Sequence, residues 1–226
     1  MSEEAKKKKA EKRIGLFGGT FNPIHLGHLR GGEQIQEAFG LHEVIFIPAA
    51  LPPHKATEKI IEPHHRLEMV KWAIQRNPYF SASDVELRRS GKSYSIDTIR
   101  YFRETHQSSL FFFILGRDAF AEIETWKEYQ HLFSLCNFIV MTRPGFQKGS
   151  SPSPLPESLI PAFRYDQKAE VWVHSSGYTL FLREIKYLDI SSTKVRELIK
   201  KGESVRDLIL PEVEAYVREH GLYQKG

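Results

Sequence analysis

Short apolar runs alternate with segments of helical period along most of the chain. In the first such unit, residues 14–17 predict a strand that ends at Gly18 and Gly19, and residues 27–39 predict a helix that stops at Gly40. A strand followed by a helix and another strand is typical of βα units, which build a mostly parallel sheet.

The same pattern continues to the end of the chain. Further strands are predicted at 44–47, 110–115, 138–141, 171–173 and 178–182. Helices are predicted at 66–74, 96–102, 126–135, 192–200 and 211–221. Val85 and Leu87 alternate with polar neighbours, which predicts a half-exposed strand. We therefore expect one doubly wound, Rossmann-like α/β domain with roughly five parallel strands, in which ligands bind beyond the carboxyl ends of the strands.

Composition agrees with a globular enzyme or binding domain. Of 226 residues, 41% are hydrophobic and 27% are charged, which excludes a disordered chain and a fibrous repeat. The longest apolar run, 110–115, is far shorter than the roughly 20 residues of a membrane-spanning helix. Cys136 is the single cysteine and no export signal is recognisable, so we expect a cytoplasmic protein that has no membrane partner.

Positive charge is concentrated at the N-terminus. The first 13 residues hold six Lys and Arg against three Glu, which accounts for three of the four formal net charges. We expect residues 1–12 to be a disordered basic tail and residues 13–226 to be the domain. A nucleic-acid-binding arm is the alternative reading of this tail, but a solvated tail is favoured, and we expect no nucleic-acid partner.

The junction at residues 18–28 carries the first chemical signal. Small residues directly after a strand let the backbone approach an anion, and the following helix directs its free N–H groups at the same place. His25 and His28 lie three residues apart on the first helical turn, where both could hold phosphate oxygens. The phosphate-binding candidates of this junction are Gly18, Gly19, Thr20 and Phe21. A plain glycine turn with helix-capping histidines is the alternative.

A second signal lies near the C-terminus, at residues 190–196. Three hydroxyl side chains would cap a helix there, and Arg196 on the first turn adds a forked cation. The candidates are Ile190, Ser191, Ser192 and Thr193. Further candidates follow predicted strands, with positive charge at Lys55 and Arg143 and a ribose-binding position at Gly116 and Asp118. No Cys and His spacing suits structural zinc, and we expect no metal held by the protein alone.

The first junction resembles the H-x-G-H motif of the nucleotidyltransferase superfamily of α/β-phosphodiesterases, and residues 190–196 resemble its second signature. Within that superfamily the chain is most similar to bacterial nicotinate mononucleotide adenylyltransferases, over about residues 13–223. Shorter segments carry this narrower resemblance, at 52–55, 93–98, 116–118, 125–129 and 143–145.

The resemblance implies transfer of the adenylyl group from ATP to nicotinate mononucleotide, giving deamido-NAD and pyrophosphate in NAD biosynthesis. It implies catalytic roles for His25, His28 and Arg196, and Mg²⁺ carried with ATP. It also implies that the pyridine ring stacks on Trp126 and that main-chain N–H groups near Ser95 and Lys127 hold its carboxylate. The resemblance also implies that Arg143 is one of the residues that bind nicotinate mononucleotide.

Alternatives stay open at this point. The acceptor could be nicotinamide mononucleotide or phosphopantetheine, or the domain could be a noncatalytic nucleotide-binding module. The sequence departs from the family's more frequent residues at Asn22, Ser95 and Lys127, and the last of these bears on the carboxylate contact. Assembly into a homo-oligomer is compatible with the sequence.

Overall fold

A computed structural model describes residues 11–53, 60–144, 154–186 and 188–224. Within these ranges, one sheet of eight strands has the order β3-β2-β1-β4-β5-β8-β7-β6. The strands are β1 (Lys12–Gly19), β2 (Glu43–Pro48), β3 (Phe80–Ala82), β4 (Ser109–Gly116), β5 (Asn137–Thr142), β6 (Phe163–Asp166), β7 (Val171–His174) and β8 (Thr179–Glu184). The helices are α1 (Leu26–Phe39), α2 (Pro63–Ile74), α3 (Ser95–Thr105), α4 (Arg117–Ala121), α5 (Tyr129–Leu132), α6 (Ser192–Lys201) and α7 (Pro211–Glu219).

The strand order reverses between β1 and β4. From β3 to β8 all neighbouring strands are parallel, whereas β7 and β6 are antiparallel additions at one edge. The segments that follow β1 and β2 therefore turn away from the segments that follow β4 and β5. A crevice opens between them, at the carboxyl ends of the central strands. This confirms the predicted doubly wound, mostly parallel sheet, with six parallel strands instead of five.

Helices cover both faces of the sheet. Side chains of α3, α4 and α5 pack on one face, where Leu16 and Phe113 contribute from the central strands. Side chains of α1, α2, α6 and α7 pack on the other face, with Phe17 and Phe112. Because the central strands are buried on both faces, they are continuous apolar runs in the sequence. Every helix in the described ranges falls short of what a bilayer-spanning segment needs in length and apolarity.

Several helix ends lie where the sequence predicts them. Gly40 and Gly202 adopt left-handed backbone angles directly after α1 and α6, with φ of 55° and 74°. Glycine adopts this conformation without steric cost. Pro211 occupies the first turn of α7, where a missing N–H group costs nothing.

Three predictions about local structure are wrong. Val85 and Leu87 belong to a turn in which Val85 packs on the core, and the strand of this region is β3. The predicted helix at 126–135 is reduced to α5, because Glu128 adopts φ 52° and prevents a helix from continuing through it. Lys12 is the first residue of β1 and pairs with Glu43 at 2.7 Å, so the strand begins one residue before the expected domain boundary.

Candidate active site

Two clefts open side by side at the carboxyl edge of the sheet. The first cleft has a volume of 660 Å³ and lies on the face of α1 and α6. The second cleft, of 220 Å³, lies on the face of α3 and α4. Thr20 and Gly116 line both clefts, so they stand where the two spaces meet.

Most of the residues predicted from the sequence lie in these clefts. The first cleft contains Thr20, Phe21, His25, His28, Gly116, Asp118, Arg143, Ile190, Ser191, Ser192, Thr193 and Arg196. The second cleft contains Gly18, Gly19, Thr20, Ser95, Gly116, Trp126 and Lys127. Lys55 lies outside the described residues.

The two histidines form a stacked pair at the start of α1. Their ring centroids are 3.7 Å apart, with an angle of 23° between the planes. The backbone N–H of His25 donates to Nδ1 of His28 at 3.2 Å. Because Nδ1 accepts this bond, the neutral His28 ring carries its proton on Nε2 and can donate it to an anion.

His25 is the more buried partner. Its side chain is 8% exposed, and Nδ1 has no hydrogen-bond partner among the described residues. Burial disfavours the charged ring and lowers the pKa of His25 to about 4. His25 is therefore neutral at physiological pH in the free protein and meets a ligand as a neutral imidazole.

The two glycine positions in this junction make room for aromatic rings. A Cβ at Gly19 would lie 2.7 Å from the Phe21 ring, and a Cβ at Gly27 would lie 3.0 Å from Nδ1 of His25. The missing side chain at position 19 therefore makes room for the Phe21 ring, while Gly19 itself lines the second cleft, and its contact with an anion stays a prediction. At Gly116 a Cβ would meet nothing within 4 Å, so the backbone is open there.

The second signature contacts the first one directly. Arg196 donates from Nη1 to the carbonyl oxygen of Asn22 at 2.7 Å and from Nη2 to Thr193 Oγ1 at 3.2 Å. The Ser192 hydroxyl donates to the carbonyl oxygen of Pro23 at 2.9 Å. Ser191 accepts a bond from the Lys194 N–H and caps α6. The N-termini of α1 and α6 thus face one cleft, and their dipoles favour an anion between them.

An aromatic and charged rim surrounds the second cleft. Trp126 is half-buried and meets Phe113 edge-on, with ring centroids 6.2 Å apart. Lys127 Nζ lies 4.8 Å from the centre of the Tyr94 ring and 3.2 Å from Asp97 Oδ2. A flat, amphipathic ligand could stack on the indole, with an acidic group near the ammonium and the first turn of α3.

Two groups of predicted residues lie in a different cleft from the expected one. Arg143 is expected among the acceptor-binding residues, but it follows the end of β5 and lines the first cleft. Gly18 and Gly19 were placed with the phosphate-binding residues but line the second cleft. Asp118 is exposed on the first turn of α4, whose N-cap is Gly116.

Sequence reasoning missed three buried polar residues in or behind the clefts. Arg66 is fully buried, and Glu86 and Asn22 are 7% and 4% exposed. One signal was available for Arg66, because it precedes Val70 and Ile74 at the spacing of the buried face of α2. Glu86 and Asn22 lie in irregular segments, where no periodicity indicates burial.

Comparison with known proteins agrees with this geometry. A family model described as Cytidylyltransferase-like matches residues 16–198. A curated relative from Geotalea daltonii, named "Probable nicotinate-nucleotide adenylyltransferase", is 42% identical over 95% of this chain and 99% of its own length. A relative of the same name from Geobacter metallireducens is 44% identical over 93% of this chain and 98% of its own. The chain belongs to the nicotinate-nucleotide adenylyltransferase family.

Solved structures share the fold. The Plasmodium falciparum nicotinic acid mononucleotide adenylyltransferase, in complex with NaAD, superposes with a TM-score of 0.70 at 24% identity. The match covers 94% of this chain and 97% of that one. At this identity the similarity concerns the fold, and it confirms the nucleotidyltransferase architecture expected from the sequence. In the described residues, no group of three or more His, Cys, Asp or Glu side chains is placed to hold a metal ion.

Proposed function

We propose that this chain transfers the adenylyl group of ATP to nicotinate mononucleotide, giving deamido-NAD and pyrophosphate, a step of NAD biosynthesis. The observation that carries this proposal is the contact between the start of α1 and the start of α6. Arg196 and Ser192 bond to the backbone of Asn22 and Pro23, and the two helix N-termini and the histidine pair thereby share one cleft.

The reaction depends more on the position of the anionic phosphate nucleophile than on a general base. An oxygen of the nucleotide's phosphate attacks the α-phosphorus of ATP in line, the bond to the β-phosphate oxygen breaks, and pyrophosphate leaves. A phosphate monoester with a second pKa of about 6 is largely dianionic at neutral pH, so the nucleophile is already deprotonated. Catalysis then rests on orientation and on stabilising charge that develops on the phosphate oxygens.

Each group of the first cleft has a defined part in this scheme. The Nε2–H of His28 and the guanidinium of Arg196 donate to phosphate oxygens, and the N-termini of α1 and α6 add their positive dipole ends. Asp118, which is exposed on the first turn of α4, accepts hydrogen bonds from the ribose hydroxyl groups. Magnesium enters as part of the substrate, bound by phosphate oxygens of ATP. Thr20 and Gly116 border both clefts, so the acceptor phosphate and the α-phosphate meet between them.

The second cleft suits the acceptor's pyridine ring. The ring stacks on Trp126, and its carboxylate lies near the N–H groups at the start of α3 and near Lys127. Lys127 is more favourable for an acid than for a neutral amide, which supports nicotinate over nicotinamide as the acceptor. A homo-oligomer stays a prediction. We place the reaction in the cytoplasm, since the one cysteine, Cys136, is buried and unpaired.

Pyrophosphate release from MgATP tests this assignment. We expect rapid release with nicotinate mononucleotide and at least tenfold slower release with nicotinamide mononucleotide, because hydrogen bonds from the Lys127 ammonium and the first turn of α3 to a charged carboxylate are stronger than those to a neutral amide. Phosphopantetheine should give no release. Equal rates with the two mononucleotides would refute the carboxylate assignment, and rapid release with phosphopantetheine alone would refute the acceptor class.

A further inference from the structure

Arg66 joins the two chain segments that leave β1 and β2. Its side chain is completely buried on α2, and it donates three hydrogen bonds to backbone carbonyl oxygens. Nη1 donates to Thr20 at 2.8 Å, Nη2 donates to Ala50 at 3.1 Å, and Nε donates to Ile61 at 3.0 Å. A planar guanidinium is suited to this task because its donors point outward in a fixed fork.

A second buried group continues from Ala50 toward α3. The N–H groups of Ala50 and Leu51 both donate to Ser93 Oγ, at 2.8 and 3.2 Å. The Ser93 hydroxyl in turn bonds to the Glu86 carboxylate, which also accepts a 2.6 Å bond from Thr98 on α3. A continuous chain of hydrogen bonds thus runs from Arg66 through one peptide and one hydroxyl to Glu86.

Each end of this chain is an ionisable group, and burial disfavours its charged form. Burial lowers the pKa of Arg66 to about 10, which leaves the guanidinium charged at neutral pH. Burial likewise raises the pKa of Glu86, and the guanidinium groups of Arg89, 3.8 Å from the carboxylate, and of Arg66 oppose this shift. Removing Arg66 leaves the charge of the buried carboxylate less compensated, which is unfavourable.

The pair reaches the second cleft through Glu86. Glu86 and Ser93 line that cleft, and Thr20, which Arg66 holds, lines both clefts. Ser95 at the start of α3 follows Ser93 by two residues, so the N–H groups that face the cleft are attached to the same hydrogen-bonded chain. Neither Arg66 nor Thr98 lines either cleft, which places them behind the binding surface.

We propose that Arg66 and Glu86 are positioning residues of the adenylyl transfer: a buried charge pair, linked through Ala50 and Ser93, that fixes the shape of the acceptor cleft. This inference rests on the function proposed above. Arg66 acts through the loops after β1 and β2, and Glu86 acts through the start of α3.

Steady-state kinetics with nicotinate mononucleotide and MgATP test the pair. Arg66→Met should raise the KM for the mononucleotide more than tenfold, since hydrogen bonds to charged groups are worth about that factor or more. Arg66→Lys should be intermediate, because it keeps the charge and loses the fork. Ser93→Ala should raise the acceptor KM about tenfold. The KM for ATP should stay within about twofold, since Ser93 lines the second cleft and not the first. Arg218→Met, which removes an exposed arginine from α7, is the matched control and should change neither KM.

The combination of Arg66→Met with Glu86→Gln distinguishes a charge pair from two separate structural contacts. In Arg66→Met the Glu86 carboxylate keeps Arg89, at 3.8 Å, but has lost the second guanidinium that favours its charge, so the acceptor KM should rise further as the pH is raised. Adding Glu86→Gln removes that charge, and it should lower the KM of the single variant at least threefold and abolish the added pH dependence. A double variant whose KM equals the product of the two single effects would overturn the proposal.

Two further measurements keep the outcomes separate. If wild-type protein gives no product with nicotinate mononucleotide, the proposed function fails and this inference fails with it. If wild-type protein is active and the Ser93→Ala and Arg66→Lys variants have wild-type KM values, only the positioning role is refuted. Urea unfolding of the same variants shows which of them fold, and Ser93→Ala provides the test should Arg66→Met not fold.

Discussion

Replacing His25 with asparagine should reduce the pH dependence of the free energy of unfolding between neutral pH and pH 5. The His25 ring is buried and its pKa is lowered to about 4, from an ordinary value of 6.5. An unfolded chain exposes the same ring to water, where it takes up a proton as the pH falls through 6.5. The unfolded state therefore binds more protons than the folded state in this interval, and stability is lost as the pH decreases.

The size of the effect follows from the two pKa values. By the linkage relation, the His25 ring changes the free energy of unfolding by nearly zero at pH 7.5 and lowers it by about 2 kcal/mol at pH 5. The full difference of the two pKa values corresponds to about 3 kcal/mol, which is reached below pH 4. Asparagine does not titrate and is a favourable N-cap residue, so His25→Asn keeps the start of α1.

Urea unfolding, followed by tryptophan fluorescence at pH 7.5 and pH 5, measures the free energy of unfolding of the wild-type protein and of His25→Asn. Wild-type protein should lose about 2 kcal/mol more between these pH values than His25→Asn. His131→Asn, which replaces an exposed histidine on α5, is the control and should keep the wild-type difference. If His25→Asn and wild-type protein lose the same free energy, the histidine is not held neutral by burial, and the account of its electrostatics is wrong.

Three other substitutions or deletions test separate parts of the structure. His28→Ala should lower kcat by about 10²-fold, the usual cost of losing one preorganised donor, and an unchanged kcat would remove His28 from the mechanism. Tyr223→Phe removes a 2.9 Å hydrogen bond to Asn22 Oδ1 and should lower the free energy of unfolding by about 1 to 2 kcal/mol, whereas Tyr79→Phe at an exposed site should not. Deleting residues 1–10 should leave turnover unchanged, and a loss of turnover would assign the basic tail a part in the reaction.

Sequence patterns predicted the central sheet well because burial determines them directly. The strands β1, β4 and β5 are apolar on both faces, so each is a continuous hydrophobic run that few other structures explain. Gly40 and Gly202 mark helix ends because their left-handed angles favour glycine. The pairing of the two signatures was implied by the family resemblance, and the structure brings both into one cleft.

Tertiary contacts decided the features that the sequence did not reveal. Val85 and Glu86 are both buried in a turn, so their surroundings and not an alternating strand determine which side chains face inward. Gly19 accommodates the Phe21 ring, which no local pattern indicates. The partners of Arg66 are three backbone carbonyls, one from the loop after β1 and two from the loop between β2 and α2, and such contacts leave no trace in residue type.

A crystal structure with nicotinate mononucleotide and a nonhydrolysable ATP analogue tests the central claim most directly. We predict that the triphosphate lies in the first cleft, within hydrogen-bond distance of His28 Nε2 and the Arg196 guanidinium, and that the pyridine ring lies against Trp126. Phosphates bound away from both His28 and Arg196, or a pyridine ring outside the second cleft, would contradict the account.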